Sequence, residues 1–513
     1  MTKQQQNTLY PIIDLFAGPG GLGEGFARPN KDKNSVFKTM ASFERDPHAH
    51  QTLTLRHFFR TFVPDSLSAA AYYRYLSGDI ERSKLIELYP EQWNEACFSA
   101  LQISLGAETH DGVEKIIKQR LMGRKKWVLV GGPPCQAYSI AGRSRRAHDP
   151  KFEQDEKHFL YKEYLKIIID HHPPVFVMEN VKGLLSAKVN GEPVLQKILR
   201  DLSKPKAAVG RKDNGLSYRL YSLSEKGTIP EDADPSAFII KAEEYGVPQA
   251  RHRMFILGVR SDLNIEPGIL QKETAPSVED VIGTLPKIRS GISQGSDTAE
   301  RWRKLIRKTV ERTWFKNLCT ANNDFALITK EKLNEHTVFP EKRFSTAYKK
   351  PKKMQSWFVS EHQSVLTGHE SRSHMEADIE RYLFASIFSL ANATSPRLAD
   401  FPRQILPLHK NIEEGRAGKM FSDRFRVQLP SHVSTTVTSH ISKDGHYFIH
   451  YDPVQCRSLT VREAARLQTF PDNYHFEGSR TAQYHQVGNA VPPYLAAKIA
   501  KIVEDILAGM EDE

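Results

Sequence analysis

Cysteine is scarce in this chain: four in 513 residues, Cys97, Cys135, Cys319 and Cys456, all far apart. No Cys-x-x-Cys pair or Cys/His cluster occurs, so no metal site is expected, and the spacing offers no disulfide framework. Long hydrophobic runs are missing as well, and no stretch reaches the length needed to span a bilayer. The start, "MTKQQQNTLYPIIDLFAG", has no signal-peptide core, which points to a cytoplasmic protein with no membrane segment. The depletion of apolar residues that marks disordered chains is absent, because 39% of the residues are hydrophobic. What remains is a chain able to build two or three cores, in which any special role for a cysteine falls to a single thiol.

Charge is present in excess and unevenly placed. The formal net charge is +11, and the stretch from Arg301 to Lys353 holds 15 Lys or Arg against 5 Asp or Glu. Nearly the whole excess thus lies in about fifty residues. A solvated helix face usually mixes both signs, whereas a one-sided excess suits a polyanion, nucleic acid being the commonest.

The first 260 residues alternate β-rich apolar runs with helical stretches, which reads as α/β with a mainly parallel sheet. "PIIDLF", "FKTMASF", "WVLVGG" and "PVFVMEN" are the expected strands, with "AFIIKA" and "MFILGV" pairing antiparallel near an edge. "KHFLYKEYLKIIIDHH" has helical spacing and stops at Pro173 and Pro174. The stretch from Glu81 to Lys125 reads as a helical peripheral insert. After Ser261 the alternation fades into basic and polar sequence with one strong helix, "HMEADIERYLFASIFSLANA", and from Arg457 helices return. This pattern predicts a catalytic α/β domain over 1–265 and 456–513, interrupted by a smaller domain over 266–455.

"DLFAGPGGLGEGF" follows a strand and leads into a helix, and its Gly18, Gly20 and Gly23 satisfy G-x-G-x-x-G. Glu44 follows where a ribose-binding acid belongs, so a nucleoside cofactor is favoured over a merely tight turn. The motif alone does not choose between a nicotinamide and S-adenosylmethionine. Asp79 in "SGDI" is a weaker candidate for the adenine. Cys135 in "GGPPCQAYS" sits behind two prolines at the end of a strand, hence at the carboxyl edge of the sheet where the glycine loop also lies. A free cysteine is more often a small buried residue. Against that, Pro133 and Pro134 fix the direction of the thiol, and Gln136 to Ser139 is polar. Glu179 and Asn180 end "VFVMEN" at the same edge, and "QARHR" sets Arg251 and Arg253 on alternate positions entering a strand, facing one side.

"DLFAGPGG", "GGPPCQAYS", "ENV", "QARHR", "RSLTVREAARLQTFP" and "QVGNAVPP" occur in this order, and together they resemble the ordered motifs of DNA (cytosine-5) methyltransferases of the prokaryotic modification type. The resemblance covers about Ile12 to Val259 and Arg457 to Ala500. It implies a Rossmann-like S-adenosylmethionine-dependent fold with mostly parallel sheet, and a target-recognition domain inserted where the positive charge is concentrated. It implies Cys135 as the nucleophile, Glu179 as the group on ring N3 and the exocyclic amine, and Arg253, less surely Arg251, as support for the flipped base. Phe16, Gly18, Gly20, Gly21, Glu44, Asp79, Ile80, Pro133, Asn489 and Val491 align with contacts to S-adenosylmethionine. Pro19 departs from a position that is often leucine. The implied partner is double-stranded DNA, met by Gln136, by Arg143, Arg145 and Arg146 on a polar loop, by Thr367, His369, Arg372 and His374 in "VLTGHESRSH", and by Thr436 and Thr438 in a Thr-containing strand pair. A functional pairing with a restriction endonuclease and a monomeric state complete the expectation. A nicotinamide-dependent oxidoreductase would explain the glycine loop but leaves "PPCQ" and the basic middle without use.

Overall fold

The computed structural model of the chain describes residues 9–28, 35–62, 66–134, 160–189, 192–210, 215–227, 234–360, 362–407, 410–418 and 421–511. Cys135, Gln136, Arg143, Arg145 and Arg146 lie outside them. Eight strands form the central sheet: β1 (Tyr10–Leu15), β2 (Phe37–Glu44), β3 (Ala100–Gln102), β4 (Val128–Gly131), β5 (Val175–Val181), β6 (Tyr218–Tyr221), β7 (Ile239–Lys241) and β8 (His252–Arg260). Their order is β3-β2-β1-β4-β5-β8-β6, with β7 beside β8. The first five are parallel, and β8 runs antiparallel to β5, β6 and β7.

Alternation along each strand splits the core into two layers. Ile13, Leu15, Leu129, Phe176 and Met178 face a layer covered by helices including α6 (His110–Leu121) and α7 (Leu160–His171). Ile12, Val128, Val130, Val175, Val177 and Phe255 face the other, covered by α1 (Gly21–Phe26) and the long C-terminal helix Pro493–Ala508. The chain therefore returns from its far end to close the sheet it began.

The stretch from Glu81 to Lys125 is not a peripheral insert. It carries α4 (Arg82–Leu88), α5 (Pro90–Ser99) and α6, but β3 lies among them and forms the edge of the sheet, in register with β2 from Ser42↔Ala100 to Glu44↔Gln102. Three residues directly after a helix carry no period of their own. Only pairing with β2 makes them a strand.

Between Gly291 and Cys456 a separate helical core gathers Trp302, Leu305 and Ile306 of α8 (Ala299–Val310), Trp314 and Phe315 of α9 (Thr313–Ala321), Phe325 of α10 (Asn323–Lys332), and Ile379 to Ile387 of α11 (Glu376–Asn392). A further cluster joins this region to the C-terminal part: Trp357, Phe358, Leu366, Val437 and Ile441 pack with Ala464 and Leu467 of α12 (Val461–Leu467), with Phe470 and Tyr474, and with Tyr484 of α13 (Arg480–Asn489). "LPSHVSTTVTSHISKDGHYFIH" is not a strand pair of its own. It contributes only Ser434–Thr435, which pairs parallel with Gln249–Ala250. Among the described residues, no helix is long and apolar enough to cross a membrane.

Candidate active site

The carboxyl ends of β1, β2, β4 and β5 converge on one edge. At the end of β1 the chain turns through Phe16 (φ 57), Gly18 (φ 58) and Gly20 (φ 93), the left-handed region that glycine enters freely. Among the described residues, a Cβ on Gly18 would meet nothing within 4 Å, so the loop is open on that side. Glu44, ending β2, accepts from the Gly18 amide at 2.7 Å and from the Asp46 amide at 2.7 Å. The glycine loop and the acid at the end of the adjacent strand are thus joined. Gly21 serves packing instead: a Cβ there would lie 2.4 Å from the Val491 carbonyl oxygen. Asn489 is exposed and paired with His485 at 3.1 Å.

Asp14, at the end of β1, is fully buried beside Gly23, and its carboxyl is pushed up to about 8 by burial and by the nearby Glu44. It is protonated across most of the neutral range.

Asp79 and Ile80 stand elsewhere than the sequence predicts. Gly78 (φ 80) caps α3 (Leu67–Ser77), Asp79 is exposed and accepts from the Ser77 hydroxyl at 2.7 Å, and Ile80 packs into the aromatic cluster of α2 (Pro47–Thr61) and α3. The position beside Glu44 belongs to Gln102, and the chain leaving β3 through Ile103 borders the same edge. Local sequence did not distinguish a helix C-cap Gly-Asp from a strand-end Gly-Asp.

At the end of β4 the backbone of Pro133 is tied to β5 by Asn180, whose amide donates to the Pro133 carbonyl at 3.1 Å. This bond anchors the stiff turn that leads to Cys135. Gly132 leaves room for Glu179, since a Cβ there would lie 2.9 Å from its Oε2. Across the antiparallel pair Phe255 faces Glu179, so Arg253, two residues away, projects to the same side. Its Nε lies 3.3 Å from Glu179 Oε1. Burial raises the Glu179 pKa, and the opposing pull of Arg253 and Arg251 does not cancel it.

Arg251 is fully buried and donates to the carbonyls of Val437 at 2.8 Å and Gly488 at 3.3 Å. It fastens "QARHR" to the segment around Val437 and to α13. The same junction holds Thr436, whose hydroxyl donates to the Ala250 carbonyl at 2.5 Å, and Thr438, against whose backbone Gly488 packs. Gln249 spans it too, accepting from the Val437 amide and donating to Gln468. Sequence reading missed Gln249 and Asn180 as positioning groups, although both lie inside the motif blocks.

Within "VLTGHESRSH", His369, Arg372 and His374 are buried and partnered inside the protein, while Glu370 and Ser373 are exposed. Arg372 is buried, donates to the carbonyls of Lys443 (2.6 Å) and Ile441, and stacks 4.1 Å over the Tyr484 ring. His369 bridges Thr460 and the Pro286 carbonyl, and His374 is buried beside Tyr382. Thr367 receives two bonds from Arg462. A polar run reads alike from sequence whether it faces solvent or joins two elements.

Comparison with known proteins gives a consistent result. A family model described as C-5 cytosine-specific DNA methylase matches residues 81–505. The Type II methyltransferase M.Bpa9945I of Bacillus paralicheniformis is 32% identical over 97% of this chain and 99% of its own length. M.DdeI of Desulfomicrobium norvegicum is 23% identical over 96% of this chain and 87% of its own. Among solved structures, a putative DNA modification methyltransferase encoded within an Escherichia coli prophage covers 97% of this chain and 99% of its own at 20% identity, with a TM-score of 0.50.

Proposed function

The chain belongs to the C-5 cytosine-specific DNA methylases, and from that membership we propose which residues carry its reaction. The enzyme has an α/β methyltransferase fold and methylates carbon 5 of cytosine in DNA with S-adenosylmethionine. Under our reading, 1–265 and 456–513 form the catalytic domain and 266–455 the recognition domain. The reading is carried by one observation: Glu179, partly buried with its side chain 14% exposed, lies 3.3 Å from Arg253, and its neighbour Asn180 holds the backbone of Pro133 two residues before Cys135.

Carbon 5 of cytosine is too poor a nucleophile to take a methyl group unaided. The Cys135 thiolate adds to carbon 6, and the ring becomes an enamine whose carbon 5 is nucleophilic. Glu179, whose hold on its proton is strengthened by burial, donates to N3 and spares the ring a build-up of negative charge. Arg253 supports the extruded base from the side of Glu179, and Arg251 acts through the backbone it fastens. After transfer the carbon-5 proton is lost to solvent, the thiolate is expelled and N3 returns its proton to Glu179, restoring the aromatic ring and the free enzyme. The target must be flipped out of duplex DNA to reach this edge.

The cofactor fits the residues present: an open glycine loop joined to an acid at the end of the adjacent strand. Phe16, Gly18, Gly20 and Glu44 hold it, with Gln102 and Ile103 at the adenine end in place of Asp79 and Ile80. When bound it supplies an electrophilic sulfonium methyl. Its likeness to Type II methyltransferases supports a modification role paired with a restriction endonuclease acting on the same duplex sequence.

Bisulfite sequencing of DNA from cells expressing the chain tests the whole reading, because it reports chemistry and target together. Cys135→Ala should abolish the signal while leaving S-adenosylmethionine binding intact. Methylation that persists in this variant would remove the covalent route.

A further inference from the structure

The glycine loop is gripped from behind by a side chain that belongs to a different part of the chain. Tyr474, fully buried, donates its hydroxyl to the carbonyl of Pro19, the residue held between left-handed Gly18 and Gly20. The fit is close: a Cβ on Gly20 would come within 3.1 Å of that hydroxyl and 2.8 Å of Leu53. The ring itself lies in the cluster shared with Phe358, Leu366 and Val437 of the recognition region.

The residues around Tyr474 bind both sides. Asp472 donates its amide to the Phe358 carbonyl, and its own carbonyl accepts from Gln363. Arg56 lies 4.7 Å over the Tyr474 ring, donates to Asn473, and grips Glu24 of α1 through two bonds of 2.8 and 2.6 Å. Burial alone would raise Glu24, but Arg56 and Arg60 hold its carboxyl at about 2, so it stays ionised and the grip persists. Arg28, just beyond α1, stacks 3.9 Å over Trp357.

We propose that Tyr474 is a positioning residue that couples the cofactor loop to the recognition region, so that DNA engagement and cofactor binding strengthen each other. It touches neither cofactor nor base and acts only through the Pro19 carbonyl. Any such coupling is reciprocal: duplex DNA and cofactor raise each other's affinity by the same factor. The inference rests on assigning this loop to the cofactor.

Tyr474→Phe removes only the hydroxyl. With S-adenosylmethionine as probe, and a duplex bearing the site mapped by bisulfite sequencing, the full-length variant should show a KM for the cofactor raised about 5- to 20-fold, the worth of one buried hydrogen bond. Its kcat at saturating cofactor should stay within about twofold, and the wild-type tightening of cofactor binding by the duplex should be lost. A merely structural role would lower the active fraction without moving this KM. An unchanged KM, or undiminished coupling, overturns the proposal. If the variant does not fold, hydrogen exchange on the wild type decides: the amides of Gly18, Gly20 and Gly21 should gain protection on adding the duplex, and none gained overturns it. Glu44→Ala tests the loop assignment separately. Cofactor binding that survives Glu44→Ala sinks the assignment, whereas loss there with an inert Tyr474→Phe sinks the coupling alone.

Discussion

Glu179 shows how one residue's surroundings set its chemistry. The position at the end of a strand leaves its carboxyl beneath the site, and burial there outweighs the pull of two arginines. A carboxyl whose folded pKa is raised keeps its proton to higher pH, so activity that needs the protonated form falls as pH rises through that pKa. The same shift makes its contribution to stability largest in acid and lost along the alkaline approach. Glu179→Gln should therefore cost about 10²-fold in kcat or more, abolish the alkaline limb in the pH–rate profile, and leave folding at high pH no worse. A wild-type profile in this variant would remove the assigned role. The motif made Glu179 legible in the sequence, but its protonation was not, because burial depends on Gly132 and β8 closing around it.

Among the elements, the contact between α1 and the C-terminal helix Pro493–Ala508 is a close-packed joint of the central sheet's cover. Gly25 sits where a Cβ would meet the Pro493 carbonyl and the Ala496 methyl, both at 2.4 Å, and the Ala497 amide nitrogen at 2.7 Å. Two of the three are backbone atoms, which give way less readily than a side-chain tip. Gly25→Ala should destabilise the protein by about 1–3 kcal/mol, as overpacking does, and should weaken cofactor binding because α1 begins at the loop. Thermal unfolding checks the first effect, and a midpoint equal to wild type would count against this packing. The glycine run reads from sequence as a turn and a cofactor loop, and its packing use depends on the far end of the chain lying against it.

Across the whole molecule, the basic surplus turns out to be partly internal. Eight of the fifteen cations between Arg301 and Lys353 form ion pairs among the described residues, including Arg312 with Glu380 and Arg343 with Asp297. Lys304, Arg307 and Lys308 remain exposed at helical spacing on α8. A phosphate-facing role for this patch predicts that replacing all three by alanine lowers the slope of log affinity against log salt by about 2 to 3, with kcat at saturating DNA unchanged. An unaltered slope would mean that the patch faces solvent.

The sequence by itself determined the order of the chemistry-bearing blocks, most strands of the sheet, and the identity of the groups that gather at its carboxyl edge. It could do so because strand and helix periods are local, and because glycine, proline and cysteine at fixed offsets carry chemical meaning without any partner. Tertiary structure alone decided that Ala100–Gln102 is the edge strand and that Arg372, His369 and His374 are buried in a joint. Each of these depends on pairing or burial between residues tens to hundreds of positions apart, and no local pattern records which face of a residue will be covered.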